Sequence, residues 1–79
     1  MREKVMEILA DLRPDVEFES EKALVSDNVL ESFDIIELIS RLNGEFDIEI
    51  SPKELTAANF DSADSITALV ERLAEEEED

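Results

Sequence analysis

One short segment combines residue types that can take part in covalent chemistry. Residues 30–38 read LESFDIIEL and place a hydroxyl, that of Ser32, between the acids Glu31 and Asp34 at the start of an amphipathic stretch. A serine hydroxyl can accept a transferred group, although at a helix start it most often serves only as an N-cap. Ser32 is therefore the candidate reactive residue, and its surroundings decide which role it has.

The chain lacks the side chains on which most enzymes depend. It has no Cys and no His, which excludes thiol nucleophiles, disulfides, thiolate or imidazole metal sites and the usual general base near neutral pH. Glycine-rich phosphate loops, His-Glu-x-x-His motifs and calcium-binding loops are also missing. Carboxylate pairs are too common here to indicate acid–base catalysis, which also needs a concave pocket that so short a chain can hardly build. We expect a protein that is not an enzyme.

The charge of the chain restricts its partners. Its Asp and Glu residues number 23 and its Lys and Arg residues 7, which gives a formal net charge of −16 at pH 7. This charge all but excludes electrostatic binding to nucleic acid or to anionic lipid. We expect any charged partner to be basic.

The length of 79 residues suits one small domain. We expect a monomeric domain over residues 1–74 and an acidic tail over residues 75–79, which frays because its carboxylates oppose the helix dipole. No apolar run approaches the roughly 18 residues of a membrane span, and no signal-peptide hydrophobic core follows the first residues. These features predict a cytoplasmic protein that does not insert into membranes.

Apolar spacing predicts a first helix and a long connection before the Ser32 segment. The helix ends near Pro14, which disfavours helical conformation in the residue before it. Residues 15–28 carry only isolated apolar side chains, and loops of this length in compact domains tend to be functional. The stripe that defines the helix is Val5, Ile8, Leu9 and Leu12.

The second helix is predicted to begin with Ser32 as its cap and to stop at Gly44. At about 100° per residue, Phe33 falls almost opposite the inward stripe and Ile36 lies on its flank. Exposed apolar side chains next to a helix start indicate a docking surface. The inward stripe consists of Ile35, Leu38, Ile39 and Leu42.

The remaining segments predict one short helix and one long helix. Residues 46–50 alternate apolar and acidic side chains but have no partner strand, so we interpret them as an extended loop. A capping box that begins at Ser51 predicts a short third helix through about Ala58. Asp61 or Ser62 caps the last helix. The predicted fold is all-α, a small four-helix bundle with three longer helices and a short third helix. The stripe of the last helix is Ile66, Leu69, Val70 and Leu73.

In this setting the Ser32 segment resembles the acyl carrier protein family. The motif of that family, Asp-Ser-Leu or Asp-Ser-Phe, opens the second of four helices, and Glu31-Ser32-Phe33 occupies the same place. The Phe after Ser32 is closer to the D-alanyl and peptidyl carrier branches than to the fatty-acid branch. The resemblance covers essentially the whole chain and extends to residues 34–38, 45–52 and 65–70.

The chain departs from the family pattern at two positions. Glu31 replaces the usual Asp and keeps the charge on a longer arm. Asn28 and Val29 stand where a Gly commonly lies, and Asn tolerates a positive φ better than most residues. Both changes are chemically mild, so the resemblance still implies a modified serine.

The resemblance implies that Ser32 receives phosphopantetheine from coenzyme A through a phosphopantetheinyl transferase. The arm would hold an acyl or aminoacyl group as a thioester. The protein would present this cargo to an activating ligase and to acyltransferases or condensing enzymes with basic docking patches. An acidic rim around an apolar centre would suit such brief encounters. The residues implied in partner binding are Glu31, Phe33, Asp34, Ile36 and Glu37.

Other readings of the sequence stay open. An unmodified acidic helical module could act by binding a basic partner, and its activity would then depend on surface charge and not on Ser32. D-alanine, another amino acid, a fatty acyl chain and a polyketide unit would all attach through the same thiol. Ile66 or Leu69 could line a cleft for such a tethered chain.

Overall fold

Three long helices and one very short helix form the regular structure. The computed structural model describes residues 2–77, which contain no β-strand. The all-α class and the four-helix arrangement predicted from the sequence are confirmed. The helices are α1 Arg2–Leu12, α2 Ser32–Phe46, α3 Ala57–Phe60 and α4 Ala63–Glu77, and a 3₁₀ turn covers Pro52–Glu54.

The core forms where the apolar stripes of α1, α2 and α4 meet. Helix α1 packs against both α2 and α4, and α3 packs against α4. Each long helix contributes residues three or four positions apart, which return to the same helix face. Burying one such aliphatic side chain contributes about 1.5–3 kcal/mol. The side chains buried completely include Val5 and Leu9 of α1, Leu38 and Leu42 of α2, and Ile66 and Val70 of α4.

The loop between α1 and α2 is irregular but is attached to the core along its length. Of its isolated apolar residues, Phe18 and Leu24 are buried and Val16 and Val25 are partly buried against the core; Leu30, just before α2, is buried as well. Asn28 has a φ of 56°, so the residue that replaces the usual Gly adopts the left-handed conformation that Asn tolerates. The loop therefore delivers the chain to α2 along one defined path.

A single residue after α3 holds the middle of this loop. The backbone carbonyl of Asp61 accepts a hydrogen bond from the Leu24 N–H at 2.8 Å. Its carboxylate accepts hydrogen bonds from the N–H groups of Val25 and Ser26, both at 2.9 Å, and from the Ser26 hydroxyl at 2.8 Å. Asp61 thus fixes the loop against the connection between α3 and α4.

Both ends of α2 differ from the sequence prediction. Glu31 is the N-cap and Ser32 is the first helical residue, so the prediction that Ser32 caps the helix was wrong. Gly44 lies inside α2 without a positive φ, and the helix ends instead at Phe46, followed by the C-cap residue Asp47, whose φ is 54°. The partly buried side chain of Phe46 extends the apolar stripe past Gly44. Burying Phe46 offsets the cost of a helical glycine, which is roughly 0.5–1 kcal/mol.

The predicted short third helix is divided in two. Pro52–Glu54 form a 3₁₀ turn, and α3 begins only at Ala57. The hydroxyl of Ser51 makes no capping hydrogen bond, so the predicted capping box is not formed. The side-chain amide of Asn59 donates to the Glu54 carbonyl at 2.9 Å. The same carbonyl accepts the Thr56 N–H at 2.9 Å, so its partners here are a turn and a side chain in place of a helical N–H.

Ser62 caps the last helix, because its hydroxyl accepts a hydrogen bond from the Ser65 N–H at 3.1 Å. The alternative cap, Asp61, is occupied by the long loop. Helix α4 continues through Glu77, and residues 78 and 79 of the predicted acidic tail lie outside the described residues. Fraying of the tail and the domain limits stay predictions.

Candidate functional site

Ser32 occupies an exposed position at the start of α2. Within residues 2–77 its hydroxyl has no hydrogen-bond partner. The first turn of a helix also presents backbone N–H groups and the positive end of the dipole, which favour an anion. With the capping role excluded, Ser32 is an accessible hydroxyl at a place suited to a bound phosphate.

The acid two residues after Ser32 is turned into the protein. The Asp34 carboxylate accepts a hydrogen bond from the Glu31 N–H at 3.1 Å, as the third helical residue does in a capping box. The same oxygen accepts a charge-assisted hydrogen bond from Arg13 Nη1 at 2.9 Å. The Asp34 side chain is only 18% exposed. The acid beside the candidate serine is therefore paired with a cation.

Arg13 is a residue of the site that the sequence prediction missed. Its Nη1 atom also donates to the Val29 carbonyl at 3.1 Å, and its Nε atom donates to Asp15 Oδ1 at 3.2 Å. Hydrogen bonds to Asp15 and then to Asp34 raise the pKa of Arg13 above its ordinary value. No local pattern indicates these contacts, because Arg13 and Asp34 lie 21 residues apart in the chain.

Three large apolar side chains project outward near Ser32. Phe33 is 77% exposed and Ile36 is 69% exposed, which confirms the prediction that both face away from the core. Leu55, which the sequence prediction did not include, is 48% exposed. Exposed apolar groups at a helix start are typical of a surface that contacts another molecule.

An apolar cavity opens directly beside Ser32. Its volume is about 280 Å³. Ile66 and Leu69 are buried in the core and do not line it, so the suggestion that they line a cleft was wrong for this cavity. They face the meeting point of α1, α2 and α4, whereas the cavity opens between the start of α2 and the α3 region. The lining residues are Val25, Ser32, Ile35, Ile36, Leu55, Thr56, Ala57 and Phe60.

The three acids predicted for a docking rim differ in their availability. Glu31 is exposed. Glu37 forms an ion pair with Arg41 at 3.5 Å, four residues later on α2, and Arg41 also pairs with Asp11 of α1 at 3.1 Å. The helix-surface pair of Glu37 and Arg41 expected from their spacing is present. Of the three acids, Glu31 has the most accessible charge, since Asp34 is held inward.

Among residues 2–77, no three potential metal-ligating side chains are grouped closely enough to hold a metal ion. None of the described helices combines the length and apolar composition needed to cross a membrane.

Comparison with known proteins identifies relatives of nearly equal length. No family model matches the chain. Two D-alanyl carrier proteins, from Lactococcus lactis subsp. cremoris strains MG1363 and SK11, are each 30% identical to it over 78 residues. The similarity covers 96% of this chain and 99% of each relative, so it extends over nearly the whole of both chains.

Proposed function

Because the chain belongs to the acyl carrier protein family, we propose that Ser32 is the attachment point of a phosphopantetheine arm that carries an acyl or aminoacyl group. The observation that carries this proposal is an exposed hydroxyl on the first residue of α2, free of the capping role. The chain is homologous to a carrier protein, which is not itself catalytic and serves as a substrate for enzymes.

The Ser32 oxygen would be the nucleophile of the attachment step. A base of a separate transferase takes the hydroxyl proton, and the oxygen attacks the phosphorus next to pantetheine in coenzyme A. The bond between the two phosphates breaks, the nucleotide half leaves, and a phosphodiester to Ser32 remains. The arm supplies a thiol, which this cysteine-free chain lacks. The start of α2 favours the negative charge of the phosphodiester.

The surroundings of Ser32 support a brief encounter with partner enzymes. We assign the apolar centre of the interface to Phe33 and Ile36, which are the most exposed large apolar side chains. Glu31 provides accessible negative charge for a basic patch on the partner. Asp34 and Glu37 belong to the same rim, where they are also held by pairs within the chain. The partners would be the transferase, an activating ligase and an enzyme that accepts the cargo.

D-alanine is the first cargo to consider, because both relatives are named D-alanyl carrier proteins. The Phe after Ser32 agrees with that branch of the family. Ser32 is exposed and lies at the edge of the cavity, so a small cargo on a flexible arm attached there would be free to reach a partner. An amino acid held as a thioester would be released by hydroxylamine, and this chemistry distinguishes it from a merely adsorbed molecule.

Attachment is tested by the intact mass of the protein after incubation with coenzyme A and a promiscuous phosphopantetheinyl transferase. The wild type is expected to gain the mass of one phosphopantetheine group, and the Ser32→Ala variant is expected to gain none. Ser40→Ala is the matched control, since Ser40 is another exposed serine of α2, and it should be modified like the wild type.

Two results would overturn the proposal. No mass gain in the wild type, or an equal gain in Ser32→Ala, would remove Ser32 as the attachment point. If removing the charges of Glu31, Asp34 and Glu37 abolished the activity while Ser32→Ala left it intact, the alternative of an acidic interaction module would be preferred.

A further inference from the structure

We propose that Arg13 is a positioning residue for the modification of Ser32, because it neutralises the one acid held beside the attachment point. This inference rests on the proposed function of Ser32. It assigns a role to a residue at the end of α1 that lies 19 positions away in sequence from the serine whose modification it assists.

The geometry joins Arg13 to the start of α2 through a single nitrogen. Arg13 Nη1 donates to Asp34 Oδ2 at 2.9 Å and to the Val29 carbonyl at 3.1 Å. Asp34 Oδ2 in turn accepts the Glu31 N–H at 3.1 Å. The guanidinium therefore contacts both the last part of the loop and the first turn of the helix that carries Ser32.

Burial makes the charge of Asp34 important for this site. Its side chain is 18% exposed and that of Arg13 is 29% exposed, so water screens this pair less than it screens the other acids near Ser32. The attachment reaction brings a negatively charged diphosphate to the first turn of α2. Without Arg13, the inward-turned carboxylate of Asp34 would keep an uncompensated negative charge in the first turn of α2 and would oppose the effect of the helix dipole on that group.

Arg13→Gln tests the role, because it removes the charge and keeps a hydrogen-bonding side chain. The quantity measured is kcat/KM of a phosphopantetheinyl transferase for the carrier, at saturating coenzyme A. We expect Arg13→Gln to lower this value roughly two- to fivefold, the size of a charge effect at a helix terminus. The loss should shrink when the salt concentration is raised to about 0.5 M.

A double-mutant cycle separates this electrostatic role from a structural one. Asp34→Asn keeps an oxygen that can accept the Glu31 N–H but removes the negative charge. If Arg13 acts by neutralising Asp34, adding Arg13→Gln to Asp34→Asn has no further effect on kcat/KM. Arg2→Gln is the matched control, since Arg2 also bonds two carboxylates, those of Asp64 at 2.7 Å and Glu19 at 2.9 Å, but at the other end of α1.

Each outcome supports or overturns the inference. Equal losses from Arg13→Gln with and without Asp34→Asn, or a loss that salt does not reduce, would show a structural role and overturn it. If Arg13→Gln fails to fold, as judged by circular dichroism, the comparison of Asp34→Asn with the double variant Arg13→Gln/Asp34→Asn replaces it: equal kcat/KM values support the electrostatic role, and a lower value in the double variant overturns it. If the wild type gains no phosphopantetheine, the proposed function itself is overturned. If the wild type is modified and Arg13→Gln has the same kcat/KM, only the role of Arg13 is overturned.

Discussion

At the scale of single residues, the carboxylate of Asp61 accepts three hydrogen bonds from the loop between α1 and α2. It accepts two backbone N–H groups and one hydroxyl from Val25 and Ser26. The hydrogen bonds from Ser26, first from its N–H and then from its hydroxyl, hold the pKa of Asp61 below its ordinary value, and the bond from Val25 acts in the same direction. The folded state therefore binds a proton on this group less readily than the unfolded state does, so ionised Asp61 favours folding.

Asp61→Asn is expected to lower the melting temperature at neutral pH, because the amide loses the charge and can satisfy fewer of the three donors. The stabilisation from Asp61 is present above the ordinary Asp pKa, about 4, and is lost as the pH falls through the lowered pKa of the folded state. As the pH falls over that range, the free energy of unfolding of the variant should therefore decrease less than that of the wild type. Urea unfolding followed by circular dichroism measures both. Asp27→Asn in the same loop is the control, and an identical pH dependence of the two variants would contradict the assignment.

At the scale of elements, α2 is longer than its glycine suggests. Gly44 lies inside the helix, and a Cβ built on it would meet no atom within 4 Å apart from its chain neighbours and the nearby backbone of its own helix. Asp47 takes the left-handed conformation that usually belongs to glycine. The glycine therefore lies in helical backbone, where other residues are more stable, and the aspartate lies in left-handed backbone, where glycine would be more stable.

Gly44→Ala is expected to stabilise the protein by about 0.5–1 kcal/mol, since alanine loses less backbone entropy in a helix and nothing obstructs its methyl group. Asp47→Ala should destabilise it, because alanine is strained at a positive φ. Both free energies of unfolding can be measured in urea. A decrease for Gly44→Ala, or an increase for Asp47→Ala, would place the end of α2 elsewhere.

At the scale of the whole molecule, charge repulsion opposes the packed core. The chain carries a formal charge of −16, and the structure extends only 37 × 24 × 19 Å along its principal axes. Because the screening length is about 10 Å at 0.1 M salt, acids that lie near one another on the surface still repel, whereas acids on opposite faces are largely screened. Ion pairs such as Arg2–Asp64 between α1 and α4 compensate only part of this repulsion.

The melting temperature is accordingly expected to rise as sodium chloride is increased from about 0.01 M to about 0.5 M, over which the screening length falls several-fold. Magnesium chloride at the same ionic strength tests whether screening is the cause. Equal melting temperatures in the two salts support screening, whereas a melting temperature that is flat or falls with sodium chloride would contradict it.

The sequence predicts the helix faces, which depend on residues close together in the chain, and it misses the contacts that depend on residues far apart in the chain. The stripes that contain Leu9, Leu38 and Ile66 follow from helical spacing, so the helices and their core faces were predicted. Phe33 and Ile36 were predicted to be exposed for the same reason. The contacts of Arg13 and Asp61 join residues distant in sequence, and they exist only once the helices have packed. The start of α2 is set by the capping box of Glu31 and Asp34, and its end by the burial of Phe46 beyond Gly44, which is why Ser32 and Gly44 were given the wrong local roles.

The attachment of the long loop has a consequence for engineering. Irregular surface segments of this length are usually the places where proteases cut and where foreign peptides can be inserted. Here Leu24 and Leu30 are buried and Val25 forms one wall of the cavity beside Ser32. A label or reporter peptide would therefore be better grafted at the exposed turn around Ser20 than between Leu24 and Leu30.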